Sequence, residues 1–200
     1  MPAQLSFDPA RTAVLSMDLQ AGIVSIYVKD QELLARAASI LQRARASGMR
    51  VIHVQVGFRP NLPEVSTRNL LLAAIKSSPQ HRRLFQGTAG AIHAAVAPQA
   101  EDIVITKHRV SAFAGTDLEM ILRANDIATL VLFGIATSGV VLSTLREAAD
   151  ADYRLVVIKD CCADLDPELQ ACLLDKLFPA QAQILTANEF LGHLDSLTSS

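Results

Sequence analysis

Two hydrophobic periods alternate along the chain. Short, nearly continuous apolar runs occupy residues 12–17, 51–56, 103–106, 130–133 and 155–158, and a weaker run covers 182–186. Runs of this length that stop at polar or small residues are typical of strands buried on both faces. The pattern therefore predicts six strands spread over the chain.

Helical periodicity separates these runs. Within residues 31–46 the apolar side chains recur at spacings of three and four, at Leu33, Leu34, Ala37, Ala38, Leu41 and Ala44. Further helices are predicted over 117–123, 138–149 and 167–177, with a short one near 188–194. Strands that alternate with helices form parallel sheets through right-handed crossovers. We expect an α/β fold whose mainly parallel, roughly six-stranded sheet is covered on both faces.

Residues 57–100 interrupt this regularity. The segment is rich in Pro, Asn and Ser, yet residues 70–75 are too apolar for a simple linker. We expect an excursion that carries one or two short helices over the carboxyl edge of the sheet. Nothing in the pattern indicates a second domain, so residues 1–200 are predicted to form a single one.

Composition narrows the class of protein and its partners. Half of the residues are hydrophobic, 19% are charged and the formal net charge is -2. Because the chain has no surplus of basic residues, no nucleic-acid partner is expected. No apolar run reaches the roughly 20 residues that span a bilayer, so no membrane partner is expected. Residues 1–18 lack a basic region before their apolar stretch, and Cys161, Cys162 and Cys172 make a poor disulfide framework. We expect a cytoplasmic protein.

Candidate chemistry follows the strands, because ligands of open parallel sheets bind beyond the carboxyl ends of the strands. Asp18 and Gln20 follow the first run, and Lys107 follows the third. An Asp in this position is partly desolvated and can act as acid or base, or it caps a turn. A Lys there pairs with a carboxylate or is a solvated edge charge. Residues 134–144 form a small-residue turn whose free amides could hold an oxyanion or a carboxylate.

Taken together, these features resemble the isochorismatase-like cysteine hydrolases, which include nicotinamidases, carbamoylases and isochorismatases. Asp18 with Gln20, Lys107 with the 111–113 run, and the 134–144 turn carry the resemblance, which extends over nearly the whole chain. It implies a three-layer α/β/α domain in which an Asp, a Lys and a Cys meet at the carboxyl edge. The Asp deprotonates the Cys, and the thiolate attacks an amide carbonyl.

The resemblance also implies the residues around the substrate. The peptide between Ile135 and Ala136 is expected to be a non-proline cis bond, and the turn from Ile135 to Val140 is expected to supply the oxyanion or carboxylate site. The residues predicted to bind substrate are Gln20, Phe113, Ile135, Ala136, Thr137 and Gly139. The family is commonly dimeric or larger, so a homo-oligomer is expected.

The chain departs from the family at the nucleophile. In the pattern Gly-x-x-Thr-x-x-Cys the Cys falls at position 140, where this chain has Val140. Valine has no nucleophilic atom, so thioester chemistry at this position is excluded. We predict a hydrolase of a small polar or carboxylated metabolite, with Asp18 as acid or base and Lys107 as its cationic partner. The isochorismatase branch offers a precedent in which a protonated Asp acts as acid, and burial against Val140 and Phe113 would raise the pKa of Asp18 accordingly.

Three alternatives remain open. Ser138, Cys161 or Cys162 could replace the missing nucleophile, although Ser138 is also a natural helix cap and buried Cys is commonly structural. The domain could instead be catalytically degenerate, with a binding or assembly role. In the last alternative Val140 is simply part of the core and the chemistry lies elsewhere.

No metal or other cofactor is predicted. Metal-dependent nicotinamidases carry an Asp-x-His and a further His after the second strand, whereas residues 54–61 hold no Asp or His. His53 lies within a strand and is expected to be a satisfied core or face residue. From the same segment Phe58 and Arg59 could enter the pocket, with Arg59 as an anion clamp or as a brace for its own loop.

Overall fold

The computed structural model describes residues 8–30 and 32–198 of the chain. Its strands are β1 (Thr12–Met17), β2 (Arg50–Val56), β3 (Ile103–Lys107), β4 (Thr129–Ile135), β5 (Arg154–Ala163) and β6 (Gln183–Leu185). They form one sheet in the order β3-β2-β1-β4-β5-β6, and every neighbouring pair is parallel. The predicted α/β fold with a six-stranded parallel sheet is confirmed. Residues 1–7 of the N-terminal segment and Gln31, where a helix was expected to begin, lie outside the described residues.

Helices connect the strands and flank the sheet. They are α1 (Ala21–Tyr27), α2 (Leu33–Ala46), α3 (Leu70–Ser77), α4 (Pro79–Arg83), α5 (Gly87–Gly90), α6 (Leu118–Ala124), α7 (Leu142–Asp150), α8 (Pro167–Cys172) and α9 (Ala187–Thr198). Short 3-10 turns cover Pro9–Arg11, Ala94–Val96 and Phe178–Ala180, and π turns cover Thr137–Val141 and Leu173–Leu177. Within the described ranges, no helix is both long and apolar enough to cross a bilayer.

The core lies where the apolar runs predict it. Every residue of β1 and β4, the two central strands, is buried. Helix α2 packs on the sheet with its predicted apolar stripe, of which Leu33, Ala37, Leu41 and Ala44 are buried, and Ile40, which was not in the predicted stripe, is buried with them. Burying such side chains is the main favourable contribution to folding, at about 25 cal/mol per Å² of apolar surface. The periodicity therefore identified both the strands and the helix face that packs on them.

A largely buried polar cluster joins α2, β2 and the start of β3, away from the carboxyl edge of the sheet. His53 Nε2 lies 3.2 Å from Asp102 Oδ2, and Arg45 donates to both carboxylate oxygens of Asp102 at 3.0 and 2.6 Å. Burial lowers the pKa of His53 against the opposing influence of Asp102. His53 is the core residue that the sequence predicted, although its Nδ1 has no hydrogen-bond partner among the described residues.

The segment between β2 and β3 forms the expected excursion. It holds the three short helices α3, α4 and α5 and the Ala94–Val96 turn, rather than one or two helices. A small apolar cluster of its own, built from Leu62, Val65 and Leu72, explains the hydrophobic stretch that seemed too apolar for a linker. Part of this segment lies over the carboxyl edge of the sheet and closes one side of a cavity there.

Candidate functional site

A buried ion pair joins the ends of β1 and β3. Lys107 Nζ lies 2.9 Å from Asp18 Oδ2, and it also donates a hydrogen bond to the backbone oxygen of Arg109 at 3.1 Å. Asp18 is 5% exposed and Lys107 only 2%. The two strands are not neighbours, because β2 lies between them in the sheet. Parallel strands end at the same edge, and this brings the predicted acid and its cationic partner together.

The carboxyl group of Asp18 is buried and has one oxygen without a hydrogen-bond partner in the described chain. Burial raises its pKa above the ordinary value, and the charge and hydrogen bond of Lys107 offset only part of that rise. Asp18 Oδ1 has no hydrogen-bond partner within the described chain. The residue adopts a left-handed φ of 56°, a conformation that Asp tolerates better than most residues, and its amide still bonds to Val54 O at 2.8 Å.

The turn after β4 has the backbone that the resemblance implied. The Ile135–Ala136 peptide is cis, and Thr137–Val141 then forms a π turn that leads into α7. The amide of Ser138 donates to Asp164 Oδ2 at 2.7 Å, and the amide of Gly139 donates to Ala136 O at 3.1 Å. These two amides are thus occupied within the chain.

A cavity of about 480 Å³ brings the pair and the turn together. Asp18, Lys107 and Val140 all border it, although Val140 is only 2% exposed. Its size falls in the range of small-molecule sites. A valine thus borders the same cavity as the ion pair, at the position where the family pattern has cysteine.

Three of the predicted substrate residues line this cavity and three do not. Ile135, Ala136 and Gly139 are in its wall, as the turn required. Gln20 is buried elsewhere: its side chain donates to Val56 O at 2.9 Å and Gly90 O at 2.6 Å, and it accepts from Val56 N at 2.7 Å. Gln20 therefore fastens the excursion to β2 instead of facing a ligand.

Phe113 and Thr137 also lie outside the cavity wall. The Phe113 ring packs on Tyr153 with the ring centroids 6.3 Å apart, because the loop after β3 turns it into the core. Phe113 is thus not among the residues that border this cavity, and its predicted role in substrate binding stays a prediction. Thr137 is fully buried, and its hydroxyl has no partner among the described residues.

Several wall residues were not expected from the sequence. Helix α1, which was not predicted, contributes Ile23, Ile26 and Tyr27, and α3 contributes Leu71 and other apolar side chains. The apolar stretch at 70–75 was a usable signal for the wall. The side toward which this apolar stretch faces could not be predicted, because a short helix in an irregular segment can present its apolar face to any neighbour.

Arg59 and Phe58 do not reach this cavity. The Arg59 side chain is 63% exposed, and its guanidinium lies 3.9 Å from Glu64 Oε1 and 3.4 Å from His108 Nε2. Phe58 meets Phe85 edge to face with the ring centroids 5.5 Å apart. Of the two roles considered for Arg59, the brace for its own loop matches these contacts.

The candidate substitute cysteines are buried in β5, outside the cavity wall. Burial raises the pKa of the Cys162 thiol to about 12, and it raises the pKa of Cys161 as well. The Cys162 thiol also donates to Ile158 O at 3.4 Å. Neither thiol is a reactive thiolate in this environment, since the thiolate is the nucleophilic form.

These environments predict the pattern of thiol labelling. In the folded protein iodoacetamide should modify Cys172 alone, since it is the exposed one, and all three cysteines should react after unfolding in urea. Mass spectrometry of the intact chain measures both numbers, with Cys172→Ser as the control that should take up no label while folded. Rapid labelling of Cys161 or Cys162 in the folded protein would contradict this assignment.

Metal ligands do not converge on the site. Among residues 8–30 and 32–198, no group of three or more His, Cys, Asp or Glu side chains is arranged to hold a metal ion. His108, which borders the cavity, directs Nδ1 to Gly57 O at 2.6 Å.

Comparisons with known proteins agree with this fold. A family model described as Isochorismatase domain matches residues 12–189. The isochorismatase family protein YecD of Escherichia coli O157:H7 is 30% identical over 194 residues, which cover 95% of this chain and all of the relative (100%). Ureidoacrylate amidohydrolase RutB of Agrobacterium fabrum is 32% identical over 215 residues, with 96% of this chain and 93% of the relative covered.

Solved structures show the same architecture. An isochorismatase family protein from Burkholderia thailandensis matches with a TM-score of 0.82 at 32% identity, covering 95% of this chain and 98% of that one. A cysteine hydrolase from Pseudomonas syringae pv. phaseolicola matches with a TM-score of 0.84 at 23% identity, and 96% of each chain is covered. A match at 23% identity supports the fold alone.

Proposed function

Because this chain belongs to the isochorismatase family, we propose that it is a hydrolase of a small metabolite that works without a cysteine nucleophile. One observation carries the proposal. The buried Asp18–Lys107 pair borders a cavity of about 480 Å³, and Asp18 Oδ1 has no partner in the described chain, while position 140 offers only a valine side chain. An acid is thus present where a nucleophile is missing.

Asp18 acts as a general acid in the proposed reaction. Its protonated carboxyl gives a proton to the leaving heteroatom of the substrate while the bond from that atom to the electrophilic carbon breaks. A water oxygen bonds to the carbon, and a proton of that water returns to the Asp18 carboxylate. Lys107 holds the carboxyl through Oδ2 and stabilises the negative charge that Asp18 carries between the two transfers.

The turn supplies backbone donors. The amides of Ser138 and Gly139 are engaged by Asp164 and by Ala136 O, so the amides of Ala136 and Val140 are the candidates for holding a developing negative charge. Ser138 borders the cavity and stays the alternative nucleophile, which Ser138→Ala tests. The expected assembly into a dimer or larger oligomer stays a prediction.

The acid role predicts a distinctive pH dependence. Because the reaction needs protonated Asp18, kcat/KM should be highest at low pH and should fall as the pH rises through the raised pKa of Asp18. Removing the cation in Lys107→Met should move this fall to higher pH, since Lys107 lowers the pKa of Asp18. Initial rates over a pH series measure both. A rate that rises with pH would contradict the acid role.

A substrate panel with a nucleophile restored tests the proposal as a whole. Wild type, Val140→Cys and the matched control Val141→Cys are assayed with ureidoacrylate, simple carboxamides and a vinyl ether. Val141 is buried beside Val140 but does not border the cavity, so its cysteine should add nothing. Turnover by wild type supports the proposal. Turnover by Val140→Cys with a silent wild type would contradict it and favour the catalytically degenerate reading.

A further inference from the structure

We propose that Asp164 is a positioning residue, whose carboxylate holds the turn after β4 from outside the substrate cavity. The inference rests on the proposed function, since it names the residue that keeps the backbone donors of that site in place. Asp164 was not predicted as a site residue, and it is not among the described residues that border the cavity beside Asp18 and Lys107. Its place after β5, its hydrogen bonds and its charge support the proposal.

The pairing of β4 with β5 brings Asp164 next to the turn. Ile135 and Ala163 are the last two residues of these strands that pair in register, and Asp164 directly follows Ala163. Its Oδ2 accepts a hydrogen bond from the amide of Ser138 at 2.7 Å. The side chain of Asp164 therefore continues the connection between the two segments at the point where the pairing of their backbones ends.

Backbone amides are the partners of this half-buried carboxylate. Oδ2 accepts from Ser138 N, Oδ1 accepts from Leu165 N at 2.8 Å, and no cationic side chain within residues 8–30 and 32–198 forms an ion pair with Asp164. Ser138 belongs to the π turn that leads into α7, and amides at the start of a helix lack partners and carry positive partial charge. A hydrogen bond to an ionised carboxylate is roughly twice as strong as a neutral one, so this contact fixes the start of the turn.

The amides on both sides of Ser138 are the ones that the proposed reaction needs. Those of Ala136 and Val140 are the candidates for holding a developing negative charge, and each lies two residues from Ser138. Asp164 fixes the amide of Ser138, and the next amide, that of Gly139, donates to Ala136 O at 3.1 Å. A misplacement of about 1 Å in a catalytic group can cost about 10²-fold in rate. Asp164 thus affects turnover through the turn, without contact with the substrate.

The charge of Asp164 also reaches the wall of the substrate cavity. Asp164 borders a second cavity, of about 510 Å³, and Tyr27 borders both cavities. Burial raises the pKa of the Tyr27 hydroxyl, and the negative charge of Asp164 adds to this rise. A test of the hydrogen bond to Ser138 must therefore separate the loss of the acceptor oxygen from the loss of the charge.

Two substitutions of Asp164 make this separation. Asp164→Ala removes the charge and both acceptor oxygens, and it should lower kcat about 10- to 100-fold while KM changes less than about threefold, because the turn acts on charge that develops in the transition state. Asp164→Asn removes the charge but keeps one acceptor oxygen for Ser138 N, and it should bring kcat back to within about threefold of wild type. Steady-state rates on a substrate that wild type hydrolyses measure both constants.

Asp166 provides a matched control two residues later. Its carboxylate also accepts from two backbone amides, those of Glu168 and Leu169 at 2.9 and 3.1 Å, but it caps α8 and borders neither cavity. Asp166→Ala therefore removes a comparable cap away from the turn, and it should leave kcat and KM unchanged. Equal losses of kcat in Asp164→Ala and Asp166→Ala would overturn the positioning role.

Amide hydrogen exchange of Ser138, followed by NMR, tests the contact without requiring turnover. In Asp164→Ala the amide of Ser138 should exchange at least about tenfold faster than in wild type, whereas Asp166→Ala should leave its rate unchanged. Circular dichroism verifies that each variant is folded. If Asp164→Ala does not fold, Asp164→Leu repeats the test, since its side chain has nearly the size of aspartate but no acceptor.

The outcomes separate this inference from the proposed function. Wild-type kcat in a folded Asp164→Ala variant, or an unchanged exchange rate of Ser138, would overturn the role of Asp164 while turnover that depends on Asp18 would still stand. A wild type that hydrolyses nothing on the substrate panel would contradict the proposed hydrolase. The exchange rates of Ser138 would then decide by themselves whether Asp164 holds the turn.

Discussion

Asp18→Asn is expected to reduce turnover by about 10²- to 10⁴-fold, the usual contribution of a general acid or base. The amide cannot give a proton to a leaving group, yet its oxygen can still accept the hydrogen bond that Lys107 now donates to Oδ2 at 2.9 Å. The loss should therefore appear in kcat more than in KM, since the shape of the cavity is kept. Steady-state rates on a substrate that wild type hydrolyses provide the measurement.

The chain offers a matched control for this substitution. Asp126 is exposed and, like Asp18, adopts a left-handed φ, here 52°. It does not border the cavity, so Asp126→Asn makes the same chemical change at a residue with the same left-handed backbone conformation, but outside the site. Its rates should equal those of wild type. If Asp18→Asn kept most of the activity while the protein remained folded by circular dichroism, Asp18 would not be the acid.

Gly134→Ala is expected to lower the free energy of unfolding by about 3–5 kcal/mol, or to prevent folding. Gly134 has a φ of 147°, which favours glycine, and a Cβ built on it would lie 2.1 Å from Met17 O. The two residues face each other across the central pair β1 and β4. Since Met17 precedes Asp18 and Gly134 precedes the cis peptide, this close approach brings the acid and the turn to one cavity.

Gly139→Ala is the matched control, because Gly139 lies in the same turn. The nearest atom to its added Cβ would be Ala136 Cβ at 3.7 Å, an ordinary contact. Urea unfolding should place Gly139→Ala within about 1 kcal/mol of wild type, well above Gly134→Ala. Equal stabilities of the two variants would mean that the packing of β4 against β1 tolerates a side chain.

The ends of the strands could be predicted because they depend on local pattern. Apolar runs identify buried strands, and parallel strands end at one edge, so Asp18 and Lys107 were both expected at the carboxyl edge of the sheet. That they meet there was implied by the family resemblance, and the two side chains lie 2.9 Å apart. The family resemblance added the cis peptide at Ile135–Ala136, which the structure contains. The ion pair and the cis peptide both lie at strand ends, and the order of the strands is constrained by the right-handed crossovers between parallel strands.

The surroundings of the pair could not be predicted in the same way. Gln20 stands two residues after Asp18, yet it turns to hydrogen-bond Val56 and Gly90, and Phe113 turns to pack on Tyr153. The direction of a side chain that follows a strand depends on which distant segment packs there. The pattern of the neighbouring residues therefore does not predict the direction of the side chain.

Residue type and local period by themselves predicted the sheet and placed Asp18 and Lys107 after its strands, whereas the family resemblance supplied their predicted roles and showed that Val140 stands where the family pattern has cysteine. Only the tertiary structure decided what surrounds them. Helices α1 and α3 face the carboxyl edge, so Ile26 and Leu71 form part of the cavity wall. The terminal nitrogens of Arg109 donate hydrogen bonds to backbone oxygens. The physical reason is that these contacts join segments far apart in the chain. Their free energy depends on how two surfaces fit together, and the sequence of either segment alone does not specify that fit.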